Sequence, residues 1–198
     1  MGGLPPVGEG VTASIEPSLL RPERTALVVV DLQQKLLPAI AERDRVLRNS
    51  VLLLRLADIL ALPVLLTTQY ERGLGATVPE VLEAAPAATP VDKVSFGCFG
   101  SPEFTGRLAA LGGRDQIVVA GIESHICVAQ TVLGALERGY TVHVASDAVG
   151  SRSEENRQVG LGRMERAGAL VSSTEMAIYE LLGRSDGAAF KRMLPFLK

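Results

Sequence analysis

Three polar side chains of this 198-residue chain could act together on a carbonyl group. Cys127 supplies a thiol, Asp31 a carboxylate that could accept the thiol proton, and Lys93 an ammonium group that would favour the thiolate. Cys127 lies near the predicted start of a helix, where the backbone N–H groups are unpaired and favour negative charge. The backbone amides of Glu123 and Cys127 could therefore form an oxyanion hole. The set offers a nucleophile, a base and an electrophilic stabiliser.

Each of these residue types also has an ordinary structural interpretation. A lone cysteine in an apolar helix is usually unreactive core, an aspartate after a strand often caps a turn, and a single lysine is usually a solvated charge. Cys98 and His125 likewise have both a structural and a functional interpretation. Cys98 could fill the core, line the pocket or act as a second redox thiol. His125 could be a surface or interface residue, or it could touch the substrate.

The elements that must position these side chains alternate between apolar strands and helices with an apolar face. Strands are predicted at 26–30, 63–68, 91–96, 116–120, 141–145 and 169–172, and helices at 43–61, 102–111, 126–138, 154–167 and 174–182. This alternation predicts a single-domain, three-layer α/β/α sandwich with a mostly parallel sheet of about six strands. Ligands bind beyond the carboxyl ends of the strands in such sheets. Asp31, Lys93 and Cys127 all fall at or near that edge.

Three blocks of sequence resemble the isochorismatase-like hydrolases. They are TALVVVDLQ at 25–33, VDK at 91–93 and GIESHICV at 121–128. Their order and spacing match as well, and the likeness covers about residues 22 to 182. The resemblance implies an isochorismatase-like, Rossmann-like fold and a catalytic set of Asp31, Lys93 and Cys127. It also implies a cis peptide bond between Ile122 and Glu123.

The stretch after the second predicted strand, QYERGLG at 69–75, separates the chain from parts of that family. Nicotinamidases bind a metal there through an aspartate and two histidines, and this stretch has no histidine, so we expect no metal and no other cofactor. True isochorismatases hydrolyse a vinyl ether and can lack the cysteine, and the presence of Cys127 argues against that reaction. The stretch is most similar to the subgroup called isochorismatase domain-containing protein 2.

Five side chains near these blocks are expected to line the substrate pocket: Gln33, Gln69, Tyr70, Phe96 and Phe99. Aromatic residues make up only 4% of the chain, so the local grouping of three of them is suggestive. They could form an aromatic wall for a flat substrate.

The overall composition excludes several classes of partner. The formal net charge is -2 and no block of lysine or arginine stands out, so we expect no nucleic-acid partner. The apolar runs are too short for a membrane span, and the N-terminus lacks the features of a signal peptide, so we expect a cytoplasmic protein. Residues 1–22 are rich in glycine and proline and are predicted to be an extension of the domain at 23–198. The family's habit of assembly and apolar stretches such as 128–136 predict a homo-oligomer, dimer or larger.

These observations predict a cysteine-dependent hydrolase of a small carbonyl substrate, with an amide as the expected class. The thiol would form a covalent thioester, Asp31 would carry the proton, and Lys93 would stabilise the charges. Two alternatives stay open on the same fold. One is a catalytically silent binding or scaffold protein, and the other is a thiol redox sensor that uses Cys127 and Cys98.

Overall fold

Six parallel strands form the centre of the molecule. The computed structural model describes residues 19–197. The strands are β1 (Thr25–Val30), β2 (Val64–Gln69), β3 (Val91–Lys93), β4 (Gln116–Ile122), β5 (Thr141–Gly150) and β6 (Leu170–Ser172). They pair in the order β3-β2-β1-β4-β5-β6, and every pair is parallel. The predicted sheet is confirmed.

Helices cover both faces of the sheet. They are α1 (Arg43–Leu60), α2 (Glu71–Leu74), α3 (Pro79–Ala84), α4 (Pro102–Ala109), α5 (Ala129–Leu136), α6 (Glu154–Arg166), α7 (Thr174–Leu182) and α8 (Ala188–Met193). Side chains from α1, α3, α7 and α8 share one apolar core with the sheet. Side chains from α4, α5 and α6 form the core on the opposite face. The predicted three-layer α/β/α sandwich is therefore confirmed.

The unbroken apolar run of β1 is explained by these two cores. All six residues of the strand are buried. Ala26, Val28 and Val30 pack into the core under α4, α5 and α6, whereas Leu27 and Val29 pack into the core under α1. A strand covered on both faces needs apolar side chains at every position rather than at every second one.

Several boundaries differ from their predicted positions. β5 continues five residues past the predicted end at residue 145, because this stretch still pairs with the end of β4. The polar residue Asp147 within it has partners on two helices. Its carbonyl oxygen accepts the Asn49 side-chain amide at 3.0 Å, and its Oδ1 accepts the Thr174 amide at 2.7 Å. β3 ends at Lys93 rather than residue 96, since the next residues bend away.

The strand order reverses between β1 and β4, and this creates a crevice at the carboxyl ends of those two strands. Asp31 directly follows β1, and Gly121 lies near the end of β4. Gly121 has a φ of 115°, and a Cβ there would lie 2.1 Å from the Val30 carbonyl oxygen. Only glycine therefore allows the two strand ends to approach so closely.

The chain is already tied to the sheet before β1 begins. Leu20 is 2% exposed, and its amide donates to Glu180 Oε2 at 3.0 Å. The Arg21 amide donates to Gln116 Oε1 at 2.8 Å. Most of the predicted extension, residues 1–18, lies outside the described residues, so the domain boundary at residue 22 stays a prediction.

In the part of the chain that the structure describes, none of the helices combines the length and the apolar character that a bilayer crossing requires.

Candidate active site

A buried ion pair occupies the crevice between the strand ends. Lys93 Nζ donates to Asp31 Oδ2 at 2.8 Å, and both side chains are 0% exposed. Burying two charges costs free energy unless their other hydrogen-bonding positions are filled. Here Thr67 Oγ1 donates to Asp31 Oδ1 at 2.7 Å, and Lys93 Nζ also donates to Gln69 Oε1 at 2.9 Å. The pair is thus held by strands β1, β2 and β3 together.

Cys127 lies beside this pair, on a π-helical turn at Ser124–Val128 that leads into α5. Its thiol is near enough to Asp31 and Lys93 for both charges to act on its pKa, and the residue is 7% exposed. Burial, and then the negative charge of Asp31, raise the pKa of the Cys127 thiol to about 12, although the charge of Lys93 opposes this. The helix start and Lys93, which were expected to favour the thiolate, therefore do not outweigh burial and Asp31 in setting this pKa.

The turn that carries Cys127 is packed tightly from behind. Gly160 of α6 approaches so closely that a Cβ there would lie 2.8 Å from the Ser124 carbonyl oxygen. The peptide bond between Ile122 and Glu123 is cis, as the resemblance implied. The Glu123 carbonyl oxygen accepts the Val128 amide at 3.2 Å, which closes the turn. The oxyanion hole at the amides of Glu123 and Cys127 stays a prediction.

The two glutamines expected in the pocket serve as internal supports. Gln33 is 0% exposed. Its Oε1 accepts the Gln69 amide at 2.7 Å, and its Nε2 donates to the Gly75 carbonyl at 2.6 Å. Gln69 Nε2 donates to the Val94 carbonyl at 2.9 Å while its Oε1 holds Lys93. All the hydrogen-bond partners of the Gln33 side chain are backbone groups, and Gln69 supports Lys93, so the pocket role of both glutamines stays a prediction.

The three predicted aromatic residues do not form one wall. Tyr70 and Phe96 are 50% and 55% exposed, on the segments that follow β2 and β3. Phe99 instead packs edge-on against Phe104, with ring centroids 5.4 Å apart, and its ring lies 6.4 Å from that of Tyr140. These contacts place Phe99 against the core beneath α5, and the pocket role of Tyr70 and Phe96 stays a prediction.

His125 points away from the nucleophile. Its Nδ1 lies 3.0 Å from Ser151 Oγ, and the residue is half-buried. Cys98 is 0% exposed, and burial raises the pKa of its thiol to about 11. Its amide donates to Thr131 Oγ1 at 3.0 Å, and Thr131 Oγ1 in turn donates to the Cys127 carbonyl at 2.7 Å. Cys98 therefore belongs to the support of the site.

Thr67 and Thr131 contact the catalytic groups and were not expected from the sequence. For Thr67 a signal existed. It lies two residues before Gln69 on β2, so the two side chains share a face of that strand. Thr131 looked like an ordinary residue of an amphipathic helix, and its sequence context gave no such signal.

A cavity of about 650 Å³ lies elsewhere, against α1 and residues 84–88. Its lining is mostly small apolar side chains, such as Ala57, Ala61 and Ala88, and it contains none of the three predicted catalytic residues. This cavity and the three candidate catalytic residues therefore lie in different parts of the molecule. The candidate site is the crevice, because a thiol, a carboxylate and an ammonium group converge there.

Comparison with known proteins gives a consistent picture. The model of the isochorismatase domain matches residues 25–176. Isochorismatase domain-containing protein 2A of Mus musculus is 36% identical over 180 residues, which is 89% of this chain and 84% of the mouse protein.

Solved structures resemble the whole described fold. The MAR1 ribonuclease of Caenorhabditis elegans has a TM-score of 0.85 and 36% identity, over 91% of this chain and 92% of that one. The YcaC gene product of Escherichia coli, an octameric hydrolase of unknown specificity, has a TM-score of 0.85 and 30% identity, over 91% and 92% of the two chains. YcaC from Pseudomonas aeruginosa, with hexane-2,5-diol and covalent acrylamide, has a TM-score of 0.84 and 30% identity, over 90% of this chain and 91% of that one.

Proposed function

We propose that this chain, which belongs to the isochorismatase family, is a cysteine-dependent hydrolase of a small carbonyl substrate, with an amide as the expected class. One observation carries the proposal. The fully buried pair of Lys93 Nζ and Asp31 Oδ2, 2.8 Å apart, lies at the crevice, near enough to the Cys127 thiol for both charges to act on its pKa. A neutral thiol with a charged acceptor beside it is suited to attack coupled to proton transfer.

The first half of the reaction forms a thioester. The sulfur of Cys127 bonds to the substrate carbonyl carbon while its proton moves to Asp31. The carbonyl oxygen becomes negatively charged and is stabilised by the amides of Glu123 and Cys127. Asp31 then gives the proton to the substrate nitrogen, the C–N bond breaks, and the amine leaves. Lys93 balances the charge of the carboxylate whenever Asp31 does not hold the proton.

The second half returns the enzyme to its starting state. Water attacks the thioester carbon and gives a proton to Asp31. The carbon–sulfur bond breaks, the acid leaves, and Asp31 returns the proton to the sulfur of Cys127. The overall balance is amide plus water to acid plus amine, and it needs no further co-reactant.

Two similar solved structures suggest different substrate classes, a small amide and an RNA. Covalent acrylamide in the P. aeruginosa protein supports a nucleophile that small amides can reach in proteins of this kind. The C. elegans neighbour is named as a ribonuclease. The net charge of -2 in our chain gives no basic footprint for a phosphate backbone, so we favour a small amide.

An activity screen over small amides, ureas and esters tests this proposal, with Cys127→Ala as the control. Turnover by the wild type that is lost in Cys127→Ala is the expected result. No turnover, together with a thiol that titrates normally near 8.5, would favour the scaffold alternative. A reversible Cys98–Cys127 disulfide without hydrolysis would favour the redox sensor.

We propose that the reaction needs no metal, because the stretch at 69–75 lacks the histidines of the metal-binding members. Activity should survive a chelator, and purified protein should contain less than stoichiometric zinc or iron. Activity that is lost to the chelator and restored by added metal would contradict this.

We also propose that the protein assembles as a dimer or larger homo-oligomer. The octameric E. coli neighbour supports this, as does the exposure of large apolar residues such as Val94 and Phe96. Light scattering at micromolar concentration should give a mass of at least two chains, and a monomeric mass would refute the proposal.

A further inference from the structure

We propose that Thr67 is a positioning residue for this reaction, whose hydroxyl fixes the carboxylate of Asp31 in the orientation that faces Cys127. The inference rests on the proposed function, since it concerns the same site. It goes beyond the triad, because it assigns the orientation of the base to a residue that takes no part in proton transfer.

The carboxylate of Asp31 is held at both oxygens from two different strands. Thr67 Oγ1, on β2, donates to Oδ1 at 2.7 Å, and Lys93 Nζ, on β3, donates to Oδ2 at 2.8 Å. The Asp31 amide also donates to the Thr67 carbonyl at 3.2 Å, so side chain and backbone are tied to the same residue. Rotation of the carboxylate would break both side-chain bonds at once.

The direction of the Thr67 hydroxyl is itself determined by its surroundings. Thr67 is 1% exposed and Cys98 is 0% exposed, so bulk water does not compete for either group. The Cys98 thiol lies 3.9 Å from Thr67 Oγ1 and acts as a weak donor to it. A hydroxyl has a single proton. With its oxygen accepting from Cys98, that proton is directed to Asp31.

Thr67 and Lys93 supply different things to the carboxylate. An ammonium on a flexible stem acts as a compact point charge, and its three donors can follow a moving partner. A threonine hydroxyl is attached at Cβ and is stiff about χ1. Lys93 therefore supplies charge, whereas Thr67 supplies direction. Direction matters because a misplacement of about 1 Å can cost roughly a hundredfold in rate.

The chain offers a matched control in the next residue. Thr68 is also on β2 and is 0% exposed. Its hydroxyl donates to Asp92 Oδ1 at 3.1 Å, which is a carboxylate outside the catalytic set. Thr67→Val and Thr68→Val therefore each remove one hydroxyl from adjacent positions of β2. In both cases the lost hydroxyl donated to the carboxylate of an aspartate.

The experiment measures kcat, KM and the rate of Cys127 alkylation by iodoacetamide at pH 7. In Thr67→Val we expect kcat to fall roughly tenfold to a hundredfold, with KM within about twofold of wild type. Alkylation should slow roughly tenfold, because the proton acceptor no longer faces the sulfur. Thr67→Ser should recover wild-type values to within about threefold, and Thr68→Val should leave all three quantities unchanged.

The sign of the alkylation change separates positioning from loosened packing. A loosened site would expose Cys127 and speed its labelling. Thr67→Val with wild-type kcat and labelling, or with faster labelling, would overturn the inference.

A wild type whose Cys127 labels no faster than Cys98 would defeat the proposed function instead. A double-mutant cycle of Thr67→Val and Asp31→Asn in urea unfolding then decides on Thr67. Unfolding constants that depart from additivity by about fivefold or more support the coupling, and additive values overturn it.

Discussion

The two cysteines lie in regions that look alike at first and differ in what surrounds the sulfur. Both are buried, and burial is the main reason that both thiols have a raised pKa, about 12 for Cys127 and about 11 for Cys98. Cys127, however, is 7% exposed, and after burial the charge of Asp31 is the main influence on its thiol, whereas Cys98 is 0% exposed and its thiol lies against the Thr67 hydroxyl. We propose that reactivity here depends on access and on a nearby proton acceptor rather than on a resting thiolate.

The largest difference between Cys127 and Cys98 should appear in kcat when each is replaced. Cys127→Ala removes the nucleophile and should lower kcat by roughly four orders of magnitude or more. Cys98→Ala should lower it less than about tenfold, because Cys98 only supports Thr67. Steady-state kinetics on an amide found in the screen measures both, with circular dichroism to show that each variant folds. Comparable losses in the two variants would remove the distinction.

The charge of Lys93, which acts on both thiols, should contribute to the free energy of unfolding. This charge lowers the pKa of both thiols, against the effect of burial. Lys93→Met leaves Asp31 buried without its cation and should reduce the free energy of unfolding by about 3–5 kcal/mol. Lys35 is an exposed lysine whose Nζ donates to the Gly73 carbonyl at 3.0 Å, and Lys35→Met should change stability by less than about 0.5 kcal/mol. Urea unfolding compares the two, and equal losses would contradict the burial argument.

The labelling rates of the two thiols sharpen the comparison further. Iodoacetamide at pH 7 should label Cys127 at least roughly tenfold faster than Cys98 in folded protein, and Lys93→Met should slow the labelling of Cys127 by roughly tenfold. Peptide mass spectrometry follows both thiols in one experiment. Equal rates at the two positions, or no effect of Lys93→Met, would show that Asp31 and Lys93 do not activate Cys127.

The smallest expected effect is on stability at alkaline pH. Each folded thiol keeps its proton to a higher pH than the ordinary value of 9.0, up to about 12 for Cys127 and about 11 for Cys98. The unfolded chain therefore binds fewer protons in this window, and stability falls as pH rises above 9. Between pH 8 and about pH 10.5, the urea midpoint should drop more in wild type than in Cys127→Ala. A drop of the same size in both would contradict the raised pKa.

The sheet, and the convergence of Asp31, Lys93 and Cys127 at one edge of it, could be predicted from the sequence, and the immediate surroundings of these residues could not. The unbroken apolar run at 26–30 predicts a strand that is buried on both faces. The resemblance of three sequence blocks to a family indicated Asp31, Lys93 and Cys127. The resting charge of Cys127 could not be predicted, because burial and distance to Asp31 exist only in the folded chain. A helix was expected at 126–138, but a π-helical turn precedes it and α5 ends at Leu136.

The side chains of Gln33 and Phe99 show a second limit. Both lie close in sequence to catalytic residues, and this proximity suggested a pocket. Gln33 turns inward to backbone groups, and Phe99 turns to the core beneath α5. Proximity in sequence does not determine the direction of a side chain where the chain leaves a regular strand.

The tie between Arg21 and Gln116 has a practical consequence for handling the protein. Gln116 is the first residue of β4, so the chain enters the described fold at the amino edge of the sheet. Strands of about six residues at about 3.3 Å each separate that edge from Cys127 by roughly 20 Å. An affinity tag, a fluorophore or a surface tether joined directly to residue 19 would therefore start on the side opposite the crevice.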